Sequence, residues 1–228
     1  MNKIFAFLIV LLLSCGILRG QGIYKVTDYY PNPSDPATAV GMVIWVDPQS
    51  NGAHGLIVSL DEKEVPHWSF EFAVTGAVDK SNGVVNMQTM TAFIKNSAGK
   101  QSWEDYPAFQ WCKEKTTGGL LWYLPSNDEL MKIYAGYNGM NLGVDIQDWG
   151  YNNRMPDFES QAMKDARAAF NKKITAAGGK GFLWHEYWSS SELPEAETYV
   201  LSMSFAMGWI QNNHKNWPFR YVRAVAAF

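Results

Sequence analysis

The stretch that decides the fold is residues 42–60, which read MVIWVDPQSNGAHGLIVSL. Its two ends, 42–46 and 55–60, are rich in apolar and β-branched side chains, which favour strands. Residues 47–52 between them are rich in residues that form turns. The stretch therefore predicts a β-hairpin with a longer loop. The preceding residues 24–39 are rich in Pro, Asp and Tyr, and they indicate an extended leading segment with turns.

Three helices are predicted downstream of this hairpin. The first begins at Pro107, which suits a first helical position, and ends before Gly118-Gly119. The second begins with Ser126-Asn127-Asp128-Glu129, a capping box in which the serine and the glutamate each satisfy a backbone N–H. The third runs from near Asp157 to about Ala176. Its apolar stripe is Met163, Ala166, Phe170 and Ile174, and the charged residues off that stripe are Lys164, Arg167 and Lys172.

The remaining segments carry strand signals. Two weaker signals cover Ser69 to Val74 and Thr89 to Ile94. The stronger signals are Leu120 to Leu124, Tyr187 to Ser190, Thr198 to Phe205, Gly208 to Asn212 and Tyr221 to Ala227. With no repeat or interdomain linker, this order predicts a single α+β domain over residues 22–228.

Composition and charge limit the possible partners. Hydrophobic residues make up 47% of the 228 residues and charged residues 18%, which is typical of a globular protein. The formal net charge is −3, so no basic field favours a nucleic-acid partner, and we predict none.

The first residues predict export. Lys3 precedes an unbroken apolar run from Ile4 to Leu13, which is too short to span a bilayer and typical of a signal peptide over residues 1–21. Leu12-Leu13-Ser14-Cys15 resembles a bacterial lipobox, in which Cys15 would be lipidated, whereas cleavage after Gly20 would suit ordinary signal peptidase. Both alternatives place the chain in the periplasm or at the outer membrane and cell surface, with a membrane contact only through the possible lipid anchor.

Five motifs in a fixed order resemble the Lcl C-terminal domain family, and they are also similar to the fibrobacter-type major paralogous domain. The motifs span about residues 103–228, and residues 40–70 fit the strands that precede this core. They are Trp111-Cys112, Trp122-Tyr123-Leu124-Pro125-Ser126, Glu129-Leu130, Tyr187-Trp188-Ser189-Ser190-Ser191-Glu192 and Tyr221-Val222-Arg223-Ala224-Val225.

This resemblance implies a C-type lectin-like fold. Such a fold has a mixed, mostly antiparallel sheet flanked by two helices, to which the third predicted helix would be an insertion, and its termini lie close together. The resemblance also implies surface and adhesion roles, with glycan binding in some members.

Known catalytic and metal chemistries find little support. The calcium-lectin signatures are absent, since Leu193-Pro194-Glu195 lacks the flanking amide and acid. Formylglycine-type catalysis needs late cysteines, whereas Cys112 is the single cysteine after the signal, and we predict it to be a buried, inert thiol. Ser189 to Ser191 lie in no nucleophile elbow, and the four histidines are scattered. We therefore predict no catalytic residue, cofactor or metal site. Polar residues of one long loop could hold a structural ion, although a solvated loop is favoured; they are Asp145, Asp148, Asn152, Asn153 and Asp157.

A late segment combines aromatic and amide side chains, which is typical of surfaces that bind sugars. It predicts a ligand site for a glycan or protein, with a turn between two partly buried tryptophans as the alternative. Its residues are Trp209, Gln211, Asn212, Asn213, His214, Asn216 and Trp217. We also predict that Arg223 pairs with an acid such as Glu129 rather than with a ligand. The sequence thus favours a noncatalytic binding module, with a structural component of the cell envelope as the alternative and an unrecognised enzyme as a weaker one.

Overall fold

The computed structural model describes residues 23–140, 142, 160–194 and 197–228. These residues form two β-sheets and four α-helices, which confirms the predicted α+β class with mostly antiparallel strands. The predicted signal peptide, Cys15 and the polar loop residues 145–157 lie outside the described residues. No helix in the described ranges is both long and apolar enough to cross a membrane.

The elements follow one another along the chain as strands, then helices, then strands. The strands are β1 (Tyr29–Tyr30), β2 (Gly41–Val46), β3 (Gly55–Ser59), β4 (Lys63–Val65), β5 (Glu186–Glu192), β6 (Tyr199–Ser204), β7 (Trp209–His214), β8 (Arg220–Val222) and β9 (Val225–Ala227). The helices are α1 (Gly83–Asn96), α2 (Pro107–Lys113), α3 (Asn127–Tyr137) and α4 (Gln161–Ala176).

The two sheets differ in their strand composition. The first has the order β1-β2-β3-β9 and is antiparallel throughout. The second has the order β4-β8-β5-β6-β7, and within it only the β5–β8 pair is parallel. The predicted closing strand is therefore split, because β8 belongs to the second sheet and β9 to the first.

The predicted hairpin is confirmed as β2 and β3, and both of its faces are buried. Met42 and Ile44 join the core cluster that α3 and α4 cover. Val43 and Ile57 face the other cluster, which α1 and α2 cover. Because successive strand residues point to opposite faces, burial of both faces explains the continuous apolar run in the sequence.

The capping box at α3 forms as predicted. Ser126 accepts a hydrogen bond from the Glu129 N–H at 3.3 Å, and the Glu129 carboxylate accepts from the Ser126 N–H at 2.7 Å. The α4 stripe is also confirmed, with Met163, Phe170 and Ile174 buried. Arg167, which was expected off that stripe, is buried as well.

The expectation of three helices was wrong, because Thr89 to Ile94 belongs to α1. Asn82 caps this helix by accepting hydrogen bonds from the N–H groups of Val84 and Val85. Its inward residues recur at helical spacing, with Asn86 and Met90 buried. Threonine and isoleucine favour strands intrinsically, but packing of this face overrides the local preference.

Two other predicted strands are not regular strands. Residues 69–74 bond to side chains and loops instead, and Leu120 to Leu124 contributes a single bridge between Tyr123 and Val225.

The predicted pairing of Arg223 with an acid is confirmed, but the acid is Glu62 and not the suggested Glu129. The Arg223 guanidinium lies 2.6 Å from the Glu62 carboxylate, and both side chains are buried. It also donates to the backbone oxygen of Ser59 at 3.0 Å. Glu129 is already occupied by its capping role and by the Tyr123 hydroxyl at 2.8 Å.

Replacing Arg223 with leucine should lower the free energy of unfolding by about 3–5 kcal/mol, because the Glu62 carboxylate is left buried without its partner. Asp61→Ala is the matched control, since the Asp61 side chain that pairs with Lys115 is 55% exposed, and its loss should cost less than about 1 kcal/mol. Urea unfolding curves of the two variants measure the difference. Equal losses in both variants would show that the Arg223 pair is not what stabilises this region.

Candidate functional site

The residues predicted as a ligand site lie on or just after β7, which is an edge strand of the second sheet. Because side chains alternate along a strand, they divide between two faces. Trp209, Gln211 and Asn213 lie on one face, which we call the outer face, and Asn212 and His214 lie on the other, which we call the inner face. The structure therefore does not bring all the predicted residues into one patch, although the His214 ring meets the Trp217 ring edge to face at the end of β7, with ring centres 6.1 Å apart.

A stack of three side chains organises the outer face. The Arg220 guanidinium lies 5.0 Å from the centre of the Trp188 ring and 4.8 Å from that of the Trp217 ring. It is held in place by an ion pair with Glu186 and by the Asn213 side-chain oxygen at 3.0 Å. Burial lowers the pKa of Arg220, and Glu186 opposes that shift. A guanidinium stays protonated in proteins, so the stack fixes Trp217 over a permanent charge.

Asn213 is a structural residue in this arrangement. It is buried, and its side-chain nitrogen donates to the Ser202 hydroxyl at 2.5 Å. Trp209 is half-buried, and its indole nitrogen is enclosed without a hydrogen-bond partner in the part of the chain that the structure describes. Asn216 is exposed at the turn that follows β7.

Five large apolar side chains of this region are exposed to solvent. They belong to two segments, 69–74 and 215–219, that lie side by side because the Lys215 backbone oxygen accepts from the N–H groups of Trp68 and Ser69 at 2.9 and 3.2 Å. We call this surface the aromatic ledge. Its residues are Phe70, Phe72, Val74, Trp217 and Phe219. Sequence analysis found only Trp217 of this set. Segment 69–74 is remote along the chain, and Phe219 lies two residues beyond the aromatic and amide run that ended at Trp217.

A buried ion pair fixes the two segments of the aromatic ledge. The Lys215 ammonium pairs with the Glu192 carboxylate and donates to the Ala73 backbone oxygen at 2.5 Å. The same carboxylate accepts from the N–H groups of Thr75 and Gly76, each at 2.9 Å. Burial lowers the pKa of Lys215, and Glu192 opposes that shift. The pair therefore anchors segment 69–76, which has no strand pairing of its own, to the second sheet.

The inner face of β7 has a different character. His214 packs against Tyr199, with ring centres 4.3 Å apart. Asn212 and Ile210 line a cavity of about 330 Å³ between β7 and the start of α3. We call this cavity the amide pocket, because Asn127 joins Asn212 in its wall.

The serine run and the cysteine have structural positions. Ser189 to Ser191 are buried, and Ser189 donates to the Leu201 backbone oxygen at 2.7 Å. Cys112 is buried, and burial raises the pKa of its thiol. Within the described ranges, no three His, Cys, Asp or Glu residues are grouped so as to hold a metal ion.

Comparison with solved structures finds a protein with a similar fold. No protein-family model and no curated protein matches the chain. A fimbrial protein from Bacteroides ovatus has a similar structure, with a TM-score of 0.57 and 15% sequence identity. The likeness covers 90% of this chain and 49% of the fimbrial protein, so the chain spans about half the length of that protein. At this identity the likeness concerns the fold alone.

Replacing Lys215 with methionine should loosen the aromatic ledge. The Glu192 carboxylate and the Ala73 carbonyl would lose their buried partner, so the amides of residues 69–78 should exchange with solvent at least tenfold faster. Hydrogen–deuterium exchange with mass spectrometry measures this. Lys113→Met, which removes an exposed lysine, is the control and should leave the same peptide unchanged. Unaltered exchange in the Lys215 variant would mean that the ion pair does not hold the segment.

Proposed function

We propose that this chain is an exported, noncatalytic binding module of the bacterial cell surface, which acts in adhesion by contacting a protein through the aromatic ledge. The observation that carries the proposal is the exposure of large apolar side chains on a rigid base. Phe219 is 76% exposed and Trp217 is 48% exposed, although Trp217 is stacked on a clamped arginine. Exposed apolar surface is a feature of protein interaction sites, and Trp and Arg are enriched among the residues that dominate binding energies.

The backbone of Phe219 supports this role. Its φ is 62°, in the left-handed region that a bulky residue rarely adopts. This conformation keeps the ring on the surface at a cost of about 1–2 kcal/mol relative to the ordinary helical region. Strain of this kind clusters at sites that bind ligands.

The fold supports a cell-surface location. A fimbrial protein shares it, which is compatible with adhesion or assembly at the surface. The Lcl-like motifs and the C-type lectin-like fold are part of the same proposal. In keeping with that fold, the ends of the described chain meet, with the rings of Tyr24 and Phe228 4.9 Å apart.

Assembly into a larger surface structure is the second candidate. It is favoured by the comparison itself, because the similar fold occupies about half of a fimbrial protein. The two candidates differ in the partner of the aromatic ledge, which is another copy or subunit in assembly and a foreign surface in adhesion.

The Trp217→Ser/Phe219→Ser double variant should lose at least tenfold in binding to immobilised mucin, fibronectin or collagen, measured by surface plasmon resonance. Leu121→Ser is the control, because Leu121 is 72% exposed but lies outside the aromatic ledge. Sedimentation velocity of the same proteins tests assembly. If the parent assembles into an oligomer, the double variant should sediment as the dissociated form. A monomeric parent that binds none of these proteins, or a double variant that matches the parent, would contradict the proposal.

Phe219→Gly separates stability from binding. Glycine adopts positive φ freely, and the strain relieved offsets its own entropic cost of about 0.5–1 kcal/mol. The variant should therefore be at least as stable as the parent in urea unfolding, while its binding through the aromatic ledge is weaker. A clear loss of stability would show that the Phe219 ring contributes to folding rather than to contact with a partner.

A further inference from the structure

The amide pocket lies on the inner face of β7, away from the aromatic ledge. Asn212 and the start of α3 form opposite parts of its wall. Its apolar lining comes from Met131 of α3, Leu201 of β6 and Ile210 of β7. The Asp128 N–H donates to the Lys80 backbone oxygen at 2.8 Å, which brings Lys80 to the same cavity.

Two acceptors at this cavity lack donors. Asn127 is only 5% exposed, and its side-chain oxygen has no hydrogen-bond partner among the described residues. The side-chain oxygen of Asn212 is likewise buried, with no donor in the described ranges. Buried polar atoms without partners are rare in folded proteins, so two such oxygens on residues that line one cavity point to a ligand that supplies donors once the amides turn.

The Asn127 amide can turn to meet such a ligand. The Asn127 backbone is fixed, because its N–H donates to the Ser191 hydroxyl at 3.0 Å. Its side-chain nitrogen makes only a 3.2 Å contact with the Asp128 carboxylate. Rotation about the last torsion of an asparagine is broad and roughly two-fold, so the free oxygen can swing toward the cavity without moving the backbone.

The charges at the pocket select a neutral ligand. Lys80 disfavours a metal cation, and Asp128 disfavours an anion. Two amide oxygens and a carboxylate accept hydrogen bonds from hydroxyl groups, while the Lys80 ammonium donates to an oxygen of the ligand. The apolar wall suits the C–H face of a sugar ring, and the cavity volume of about 330 Å³ is that of a small-ligand site.

We propose that the amide pocket binds one neutral monosaccharide unit, free or at the end of a glycan. This site is separate from the aromatic ledge, so it goes beyond the adhesion proposed above and does not depend on it. Asn127 and Asn212 orient the sugar hydroxyls, and Met131, Leu201 and Ile210 contact its ring.

The test is saturation-transfer NMR and calorimetry of the full chain with glucose, galactose, mannose, fucose and N-acetylglucosamine, in buffer containing EDTA. At least one sugar should bind. Asn212→Leu should weaken that binding at least tenfold, because it removes one acceptor. Gln211→Leu, the neighbouring change on the outer face, should keep affinity within twofold, and so should Trp217→Ser.

Thermal unfolding checks that the Asn212→Leu variant is folded. If that variant is unfolded, Asp128→Ala replaces it, and its affinity for the sugar should also fall at least tenfold. Three outcomes would overturn the proposal. They are binding of none of the five sugars, equal affinity in the Asn212 or Asp128 variant and the parent, and binding that appears only when Ca²⁺ replaces EDTA. Trp217→Ser leaves the amide pocket intact. If this variant loses adhesion but still binds the sugar, the two functions belong to two separate sites.

Discussion

The buried ion pair between Lys215 and Glu192 is the interaction on which the aromatic ledge depends. Segment 69–76 pairs with no strand in the part of the chain that the structure describes, so its backbone groups need other partners. The Glu192 carboxylate supplies acceptors for Thr75 and Gly76, and the Lys215 ammonium supplies a donor for Ala73. Each charge would be strongly unfavourable in this interior without the other. The pair thus ties an irregular segment to the end of β7 and sets exposed aromatic side chains on a rigid base.

A second buried ion pair holds the two sheets together. The chain passes from the first sheet to the second between Ser59 and Lys63, and it returns between Val222 and Val225. Arg223 lies in the returning crossing, and its partner Glu62 lies in the other. The guanidinium also donates to backbone oxygens of Ser59, Lys180 and Gly181, so one side chain joins its own crossing to two other segments. A hydrophobic contact could not fix both crossings in this way, because it has no direction.

Local signals in the sequence were sufficient to predict most helices and strands, but not to predict which distant residues contact one another. The β2–β3 hairpin, the capping box at Ser126 and the α4 stripe each depend on residues close together in the chain, and each was predicted. Helix α1 was missed because its threonine and isoleucine residues favour strands, although Asn82 was an available capping signal. The partner of Arg223 could not be predicted, because Glu62 lies at the opposite crossing and nothing local distinguishes it from Glu129. For the same reason, the sequence identified only part of the two candidate surfaces. Residues of β7 were identified, whereas Phe70, Phe72, Asn127 and Asp128 are brought to it only by tertiary packing.

Asn213 explains how one edge strand serves two surfaces. Its side chain is buried between Ser202 and Arg220, and both of its polar atoms are used. A shift of β7 by one residue would place Asn212 or His214 in this position. It would also turn all the other side chains of β7 to the opposite face. Neither could reproduce both bonds without giving up its place on the inner face, where Asn212 lines the amide pocket and His214 packs on Tyr199. The register that positions Arg220 beneath Trp217 is therefore the same register that directs Asn212 into the amide pocket. A run of similar amides in the sequence thus has distinct roles that only the strand pairing assigns.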